Sequence, residues 1–205
     1  MNKARFIAVS RHRIQTDGQG VTTLCGFYGC PLRCKYCINP HSFKDGTKTL
    51  ELTPQELYDK VKIDDLYFVS TNGGVTFGGG EPLLYADFIR EFRALCGDRW
   101  HICAETSLNV PLDAVKTAAS VIDEFFVDIK DMDPDIYFGY TGRDNKQVIE
   151  NLRYLISAVG SERITVRIPL IKGINDESDR EYSISLLRDM GFSQFDLFEY
   201  RIKEH

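Results

Sequence analysis

Two alternating periodicities constrain the fold of this chain more than any other feature of its sequence. Short runs rich in β-branched and aromatic residues recur at 23–28, 74–77, 101–105, 124–129, 163–169 and 194–200, which predicts six strands. Apolar residues at helical spacing fall between them, at about 53–61, 85–95, 112–120, 145–158 and 178–190. Thr53, Pro54 and Glu56 open the first of these as N-cap, first-turn proline and capping-box partner. Strand followed by helix, repeated, predicts parallel strands joined by right-handed crossovers, either an open sheet or an incomplete barrel. Six strands fall short of the eight that close a familiar α/β barrel. No linker, internal repeat or low-complexity stretch divides the 205 residues, so a single domain over 1–205 is expected. Stretches 37–53 and 63–73 follow neither period and read as surface loops.

Hydrophobic residues make up 43% of the chain and charged residues 27%, ordinary globular values, and no apolar run approaches the ~20 residues of a membrane span. A membrane role is not expected. The apolar run 6–9 is too short for a signal-peptide core, which leaves a cytoplasmic address as the expectation. The net charge is −5 and the basic residues are scattered, which argues against a nucleic-acid partner.

Six cysteines stand at 25, 30, 34, 37, 96 and 103. In a reducing compartment, three closely spaced thiols read as metal ligands before they read as disulfides. Cys30, Cys34 and Cys37, at spacings of four and three, follow the first predicted strand, where a loop can turn them toward one centre. Three thiolates leave one iron of a [4Fe–4S] cubane open to a ligand, whereas electron-transfer clusters usually close all four positions. Zinc is the alternative on these residues alone, because His41 lies four residues beyond Cys37 and completes a Cys₃His set. Cys25, Cys96 and Cys103 lie apart, in apolar or helical surroundings, and read as packing residues.

Glycine-rich Gly73-Gly74-Val75-Thr76-Phe77-Gly78-Gly79-Gly80-Glu81-Pro82 follows, a turn where backbone can approach a ligand and a carboxylate can accept from an ammonium. Glu105-Thr106-Ser107 and Asp128-Ile129-Lys130 end the third and fourth predicted strands, and Arg167 lies on the fifth. Each motif thus falls at the C-terminal end of its strand, the edge on which parallel α/β folds build their sites.

The cysteine motif followed by Gly79-Gly80-Glu81 resembles the radical S-adenosylmethionine (SAM) superfamily. Asp17-Gly18-Gln19-Gly20, residues 29–40, residues 73–84 and Asp128-Ile129-Lys130 are similar more particularly to the pyruvate formate-lyase activating enzymes, over roughly residues 14–200. The resemblance implies an incomplete (βα)6 barrel of parallel strands with outer helices. It implies a [4Fe–4S] cluster on Cys30, Cys34 and Cys37, with SAM bound through its amino and carboxylate groups to the fourth iron. Tyr36 would contact the adenine, and Gly79, Gly80 and Glu81 would receive the methionyl ammonium. Glu105 and Ser107 stand in Glu-Thr-Ser, where the activases show Asp-Thr-Asn. Glu105 and Asp128 would line a monovalent-cation site, Asp128 and Lys130 would face the SAM carboxylate and ribose, and Arg167 would lie near SAM.

The implied reaction is anaerobic: one electron, from a flavodoxin or ferredoxin, cleaves SAM to a 5′-deoxyadenosyl radical, which abstracts hydrogen from a glycine of a glycyl-radical enzyme. A monomer is expected. The short stretch 37–53 holds no cysteine, so the ferredoxin-like insert of many activases is not expected. The sequence ends at His205, short of the usual activase tail, and has Tyr200-Arg201 where activases tend to show Tyr-His. Two other functions remain open at this point. One is a radical SAM enzyme acting on a small molecule or peptide, as the deazapurine synthases of similar length do; the other is a non-catalytic zinc module.

Overall fold

A computed structural model describes residues 2–200, and position 201, where the expected histidine is replaced by arginine, lies outside them. Eight strands form one sheet: β1 (Ala4–Ile14), β2 (Val21–Phe27), β3 (Leu50–Leu52), β4 (Gly74–Gly79), β5 (His101–Thr106), β6 (Glu124–Asp128), β7 (Ile164–Leu170) and β8 (Gln194–Glu199). Their order is β3-β1-β2-β4-β5-β6-β7-β8, so the sheet stays open with β3 and β8 at its edges. From β2 to β8 every neighbouring pair is parallel, which accounts for the six predicted strands.

The sheet also carries two strands that periodicity did not predict. β1 runs antiparallel to β2, and β3 antiparallel to β1. β1 was hidden by its charges, since Arg5, Arg11, His12 and Arg13 interrupt its apolar residues. β3 has only three residues and lies within a stretch read as loop.

Among the described residues seven α-helices accompany the sheet: α1 (Pro54–Val61), α2 (Asp65–Thr71), α3 (Ala86–Cys96), α4 (Leu112–Ala119), α5 (Pro134–Thr141), α6 (Lys146–Val159) and α7 (Glu177–Asp189). The expected capping box opens α1: Thr53 Oγ1 accepts from the Glu56 amide while Glu56 accepts from the Thr53 amide. A second capping box, Asp176 with Asp179, opens α7. α2 corrects the reading of 63–73 as loop. It is seven residues long and buries only Phe68, too little for a helical stripe to show. α5 was also missed, although Asp133 caps it through the Asp135 and Ile136 amides.

Strand alternation divides the sheet into two chemical faces. One packs under the helices: Ile102, Ala104, Phe125, Val127, Ile164 and Val166 join Leu57, Phe92, Val115 and Leu152 in the main core. Trp100 stacks on Tyr58 at 5.1 Å between ring centroids, and Phe77 meets Phe92 edge-on at 5.4 Å. The intervening residues Thr76, Cys103, Glu105, Glu124, Asp128 and Arg167 belong to the opposite, concave face. They lie outside the apolar core, and the site is built on that face.

Candidate functional site

Residues 28–43, which join β2 to a short 3₁₀ turn at Pro40–Ser42, carry the three cysteines. Neighbouring backbone holds this loop. The Arg33 and Lys35 amides donate to the carbonyls of Thr141 and Tyr140 at 3.0 Å, the free carbonyl end of α5. The Gly29 amide donates to Ser42, and Arg33 turns its guanidinium back onto the Cys30 carbonyl at 2.6 Å. Gly80 and Glu81 donate their amides to the Phe27 and Gly29 carbonyls at 2.9 and 2.8 Å, which ties the glycine turn to the cysteine loop. Side chains are excluded there, since a Cβ on Gly80 would lie 2.1 Å from the Gly29 oxygen and one on Gly79, at φ +88°, 2.6 Å from Gly26 Cα.

Cys30, Cys34 and Cys37 are free thiols lining a cavity of about 700 Å³. Gly79, Gly80, Glu81, Glu105, Ser107, Asp128, Lys130 and Arg167 line the same cavity, so the structure brings together every predicted site residue except Tyr36. Tyr36 is not among the lining residues. Its carbonyl accepts from the Tyr200 hydroxyl, and its ring, 36% exposed, lies 6.3 Å from the Tyr140 ring. Lining residues to which the sequence reading gave no site role include Arg13, Asp17, Asn39, Tyr140 and Asp196. Asn39 Nδ2 donates to the Gly79 carbonyl at 3.1 Å. Its place two residues after Cys37 was the available clue.

Glu81 is 1% exposed, and four donors of the chain itself meet it. Thr106 Oγ1 and the Leu83 amide reach Oε1 at 2.6 and 3.2 Å, while the Ser107 amide and hydroxyl reach Oε2 at 2.9 and 2.7 Å. Two carboxylate oxygens offer about four lone-pair sites, so these bonds fill them. Burial pushes the Glu81 carboxyl upward while the same hydrogen bonds favour its ionised form.

Across the cavity, Arg167 forks between two acids, Nε to Asp128 at 2.7 Å and Nη1 to Glu105 at 2.8 Å, and Lys130 Nζ stands 3.4 Å from Asp128. Two positive and two negative charges balance there. Burial would raise the Asp128 carboxyl, but Lys130 and Arg167 hold it below the ordinary value; for Glu105, burial outweighs Arg167 and the carboxyl is raised. Lys130 and Arg167 are held more firmly protonated than in water by the acids they face, although burial opposes it.

This donor set fits a [4Fe–4S] cluster with one open iron. Burial pushes the Cys30 thiol up to about 12 and raises Cys34, so deprotonation awaits a metal. His41 is exposed and outside the cavity lining, which removes the fourth ligand of the zinc alternative. The three sulfurs are also not all within 4.8 Å of one another. Among the described residues, the one set of three ligand atoms mutually within 4.8 Å is His101, Cys103 and Glu124, whereas a tetrahedral zinc thiolate site, with Zn–S of ~2.3 Å, holds its sulfurs ~3.8 Å apart.

The radical SAM superfamily model matches residues 25–183, and the chain belongs to that superfamily. Within it, relatives include the pyruvate formate-lyase-activating enzyme of Staphylococcus epidermidis, 31% identical over 80% of this chain and 67% of that protein. The (2S)-3-sulfopropanediol dehydratase activating enzyme of Klebsiella oxytoca is 28% identical over 78% of this chain and 69% of its own length. Among solved structures, SuiB of Streptococcus suis bound to S-adenosylmethionine superposes with a TM-score of 0.65 at 16% identity. That match covers 87% of this chain and 41% of SuiB, and shows a shared fold.

Proposed function

We propose that this protein binds SAM at a [4Fe–4S] cluster on Cys30, Cys34 and Cys37 and installs a glycyl radical on a partner enzyme. When bound, cluster and SAM supply a one-electron reductive cleavage that yields a 5′-deoxyadenosyl radical, and the hydrogen abstraction is that radical's. The observation that carries the reading is the convergence of the three free thiols with Gly79, Gly80, Lys130 and Arg167 on one cavity. The activating enzymes among its relatives support the glycyl-radical partner.

The chain's own residues bind, orient and exclude water. Three thiolates leave one iron open, and the backbone of Gly79 and Gly80 forms a wall that a ligand can approach closely. Glu81, saturated by its own chain, holds that wall against β5 through Thr106 and Ser107. Lys130 presents a partly buried ammonium toward the SAM carboxylate, with protons still free beside its Asp128 contact. Arg167 and Lys130 together neutralise Glu105 and Asp128 in the region where the family resemblance implies a monovalent cation. A cytoplasmic, reducing compartment suits the free thiols, and a low-potential flavodoxin or ferredoxin is the fitting electron donor.

Anaerobic reconstitution tests the proposal. With SAM, reductant and a glycyl-radical enzyme, 5′-deoxyadenosine should form and the partner should show a glycyl radical doublet by electron paramagnetic resonance. Nucleoside without that signal would redirect the substrate to a small molecule or peptide. No nucleoside at all, from protein holding about four irons, would overturn the radical SAM reading.

A further inference from the structure

At the opposite end of the concave face from the cysteine loop, His101 and Cys103 of β5 meet Glu124 of β6. Cys103 is buried, 1% exposed, yet it is absent from the hydrophobic core that takes in Cys25 and Cys96. Its surroundings are polar. Glu124 Oε2 lies 3.8 Å from its sulfur, and a Cβ on Gly18, in the β1–β2 connection, would stand 3.0 Å from that sulfur and 3.6 Å from Thr76 Oγ1. His101 Nε2 is 3.5 Å from the same Glu124 oxygen. The three ligand atoms all lie within 4.8 Å of one another.

We infer that His101, Cys103 and Glu124 form a zinc site, distinct from the iron–sulfur centre, that fastens β5 to β6 beneath the cavity. The two separations that Glu124 makes match the metal. Zn–N of ~2.0–2.1 Å, Zn–O of ~2.0–2.2 Å and Zn–S of ~2.3 Å at a tetrahedral angle require N···O of about 3.4 Å and S···O of about 3.6 Å. The observed 3.5 and 3.8 Å lie within about 0.2 Å of those edges. One imidazole, one thiolate and one carboxylate form a borderline-soft set suited to zinc, which leaves the fourth position to water. Solvent reaches the site, because the His101 and Glu124 side chains remain 28% and 27% exposed while Cys103 closes the inner side. Asp123 Oδ2 stands 4.0 Å from His101 Nδ1, beyond hydrogen-bond reach, and adds negative charge beside the imidazole. Asp123 is itself anchored by the Arg93 guanidinium and the Ile102 amide.

Full-length protein, reconstituted with iron and sulfide under anaerobic conditions and then equilibrated with one equivalent of zinc, tests the site. Elemental analysis should find one zinc per chain beside about four irons. Zinc-edge X-ray absorption should show one sulfur at ~2.3 Å and three nitrogen or oxygen neighbours at ~2.0–2.1 Å. Cys103→Ser should remove the sulfur scatterer, and His101→Gln should weaken zinc binding at least about tenfold, with cluster content unchanged in both. His101→Gln at a part-exposed position keeps the test open if Cys103→Ser fails to fold. Three sulfurs around zinc would put the metal on the cluster triad and overturn the proposal. Failure to retain zinc, or unaltered retention in both variants, would overturn it equally.

Discussion

Arg167 is the residue on which the cavity's charge balance turns. Two partly buried acids, Glu105 and Asp128, share its guanidinium, and Lys130 reaches Asp128 alone. Removing one partner of a buried ion pair leaves an uncompensated charge and costs more than the pair contributes. Arg167→Met should therefore destabilise the protein by about 2 kcal/mol in urea unfolding, with the Glu105 carboxyl raised further once its counter-charge is gone. An unchanged midpoint would mean that water already screens the quartet. Much of this site was legible from types and spacing, because Cys30, Cys34, Cys37, Glu105 and Asp128 are tied to strand ends. Tyr36 shows the limit: its position between two ligands fixed where its backbone runs, but not on which side of the loop its ring falls. Cys103 shows another, since its apolar sequence neighbours lie on the opposite sheet face and its polar ones come from β6 and the β1–β2 connection.

At the scale of elements, α2 was the helix most hidden from sequence, and its stability rests on charge more than on burial. Asp65 at its first turn accepts from Arg99 Nε at 2.6 Å and from the buried Trp100 indole at 2.8 Å. Those two hydrogen bonds, Arg99 first, lower its carboxyl to about 2 from the ordinary 3.8. A depressed folded-state value stabilises the fold above the unfolded value, and that gain disappears as pH falls from about 4 to about 2. The Asp65 and Arg99 side chains are 33% and 61% exposed, so screening reduces the effect to about 1 kcal/mol. Asp65→Asn should thus be less stable than the parent by that amount at pH 7 and match it near pH 2, as measured by thermal unfolding across the range. The parallel strands and five of the helices were legible because most of them put a periodic apolar face into the core, while β8 and α7, which bury little, showed through aromatic residues and helical spacing. β1, β3, α2 and α5 were not, because strand pairing, a cap and a few contacts hold them, and none of these leaves an apolar period.

The whole molecule separates what holds it together from what gives it chemistry. Its apolar core lies between the helices and one sheet face and includes none of Cys30, Cys34 or Cys37. The cysteine loop hangs from the other side on backbone hydrogen bonds to Tyr140, Thr141, Ser42 and the glycine turn. Small metal domains unfold without their metal because ligation is their core. Here the core exists independently, and a cluster that binds only the folded state adds stability by mass action. Stripping iron with a chelator should therefore leave the far-ultraviolet circular dichroism and a single cooperative unfolding transition in place, at a somewhat lower midpoint. Faster hydrogen exchange should appear in residues 28–43 and not in β5 or β6. Loss of cooperative unfolding on iron removal would show instead that the cluster, and not the apolar face of the sheet, holds the fold together.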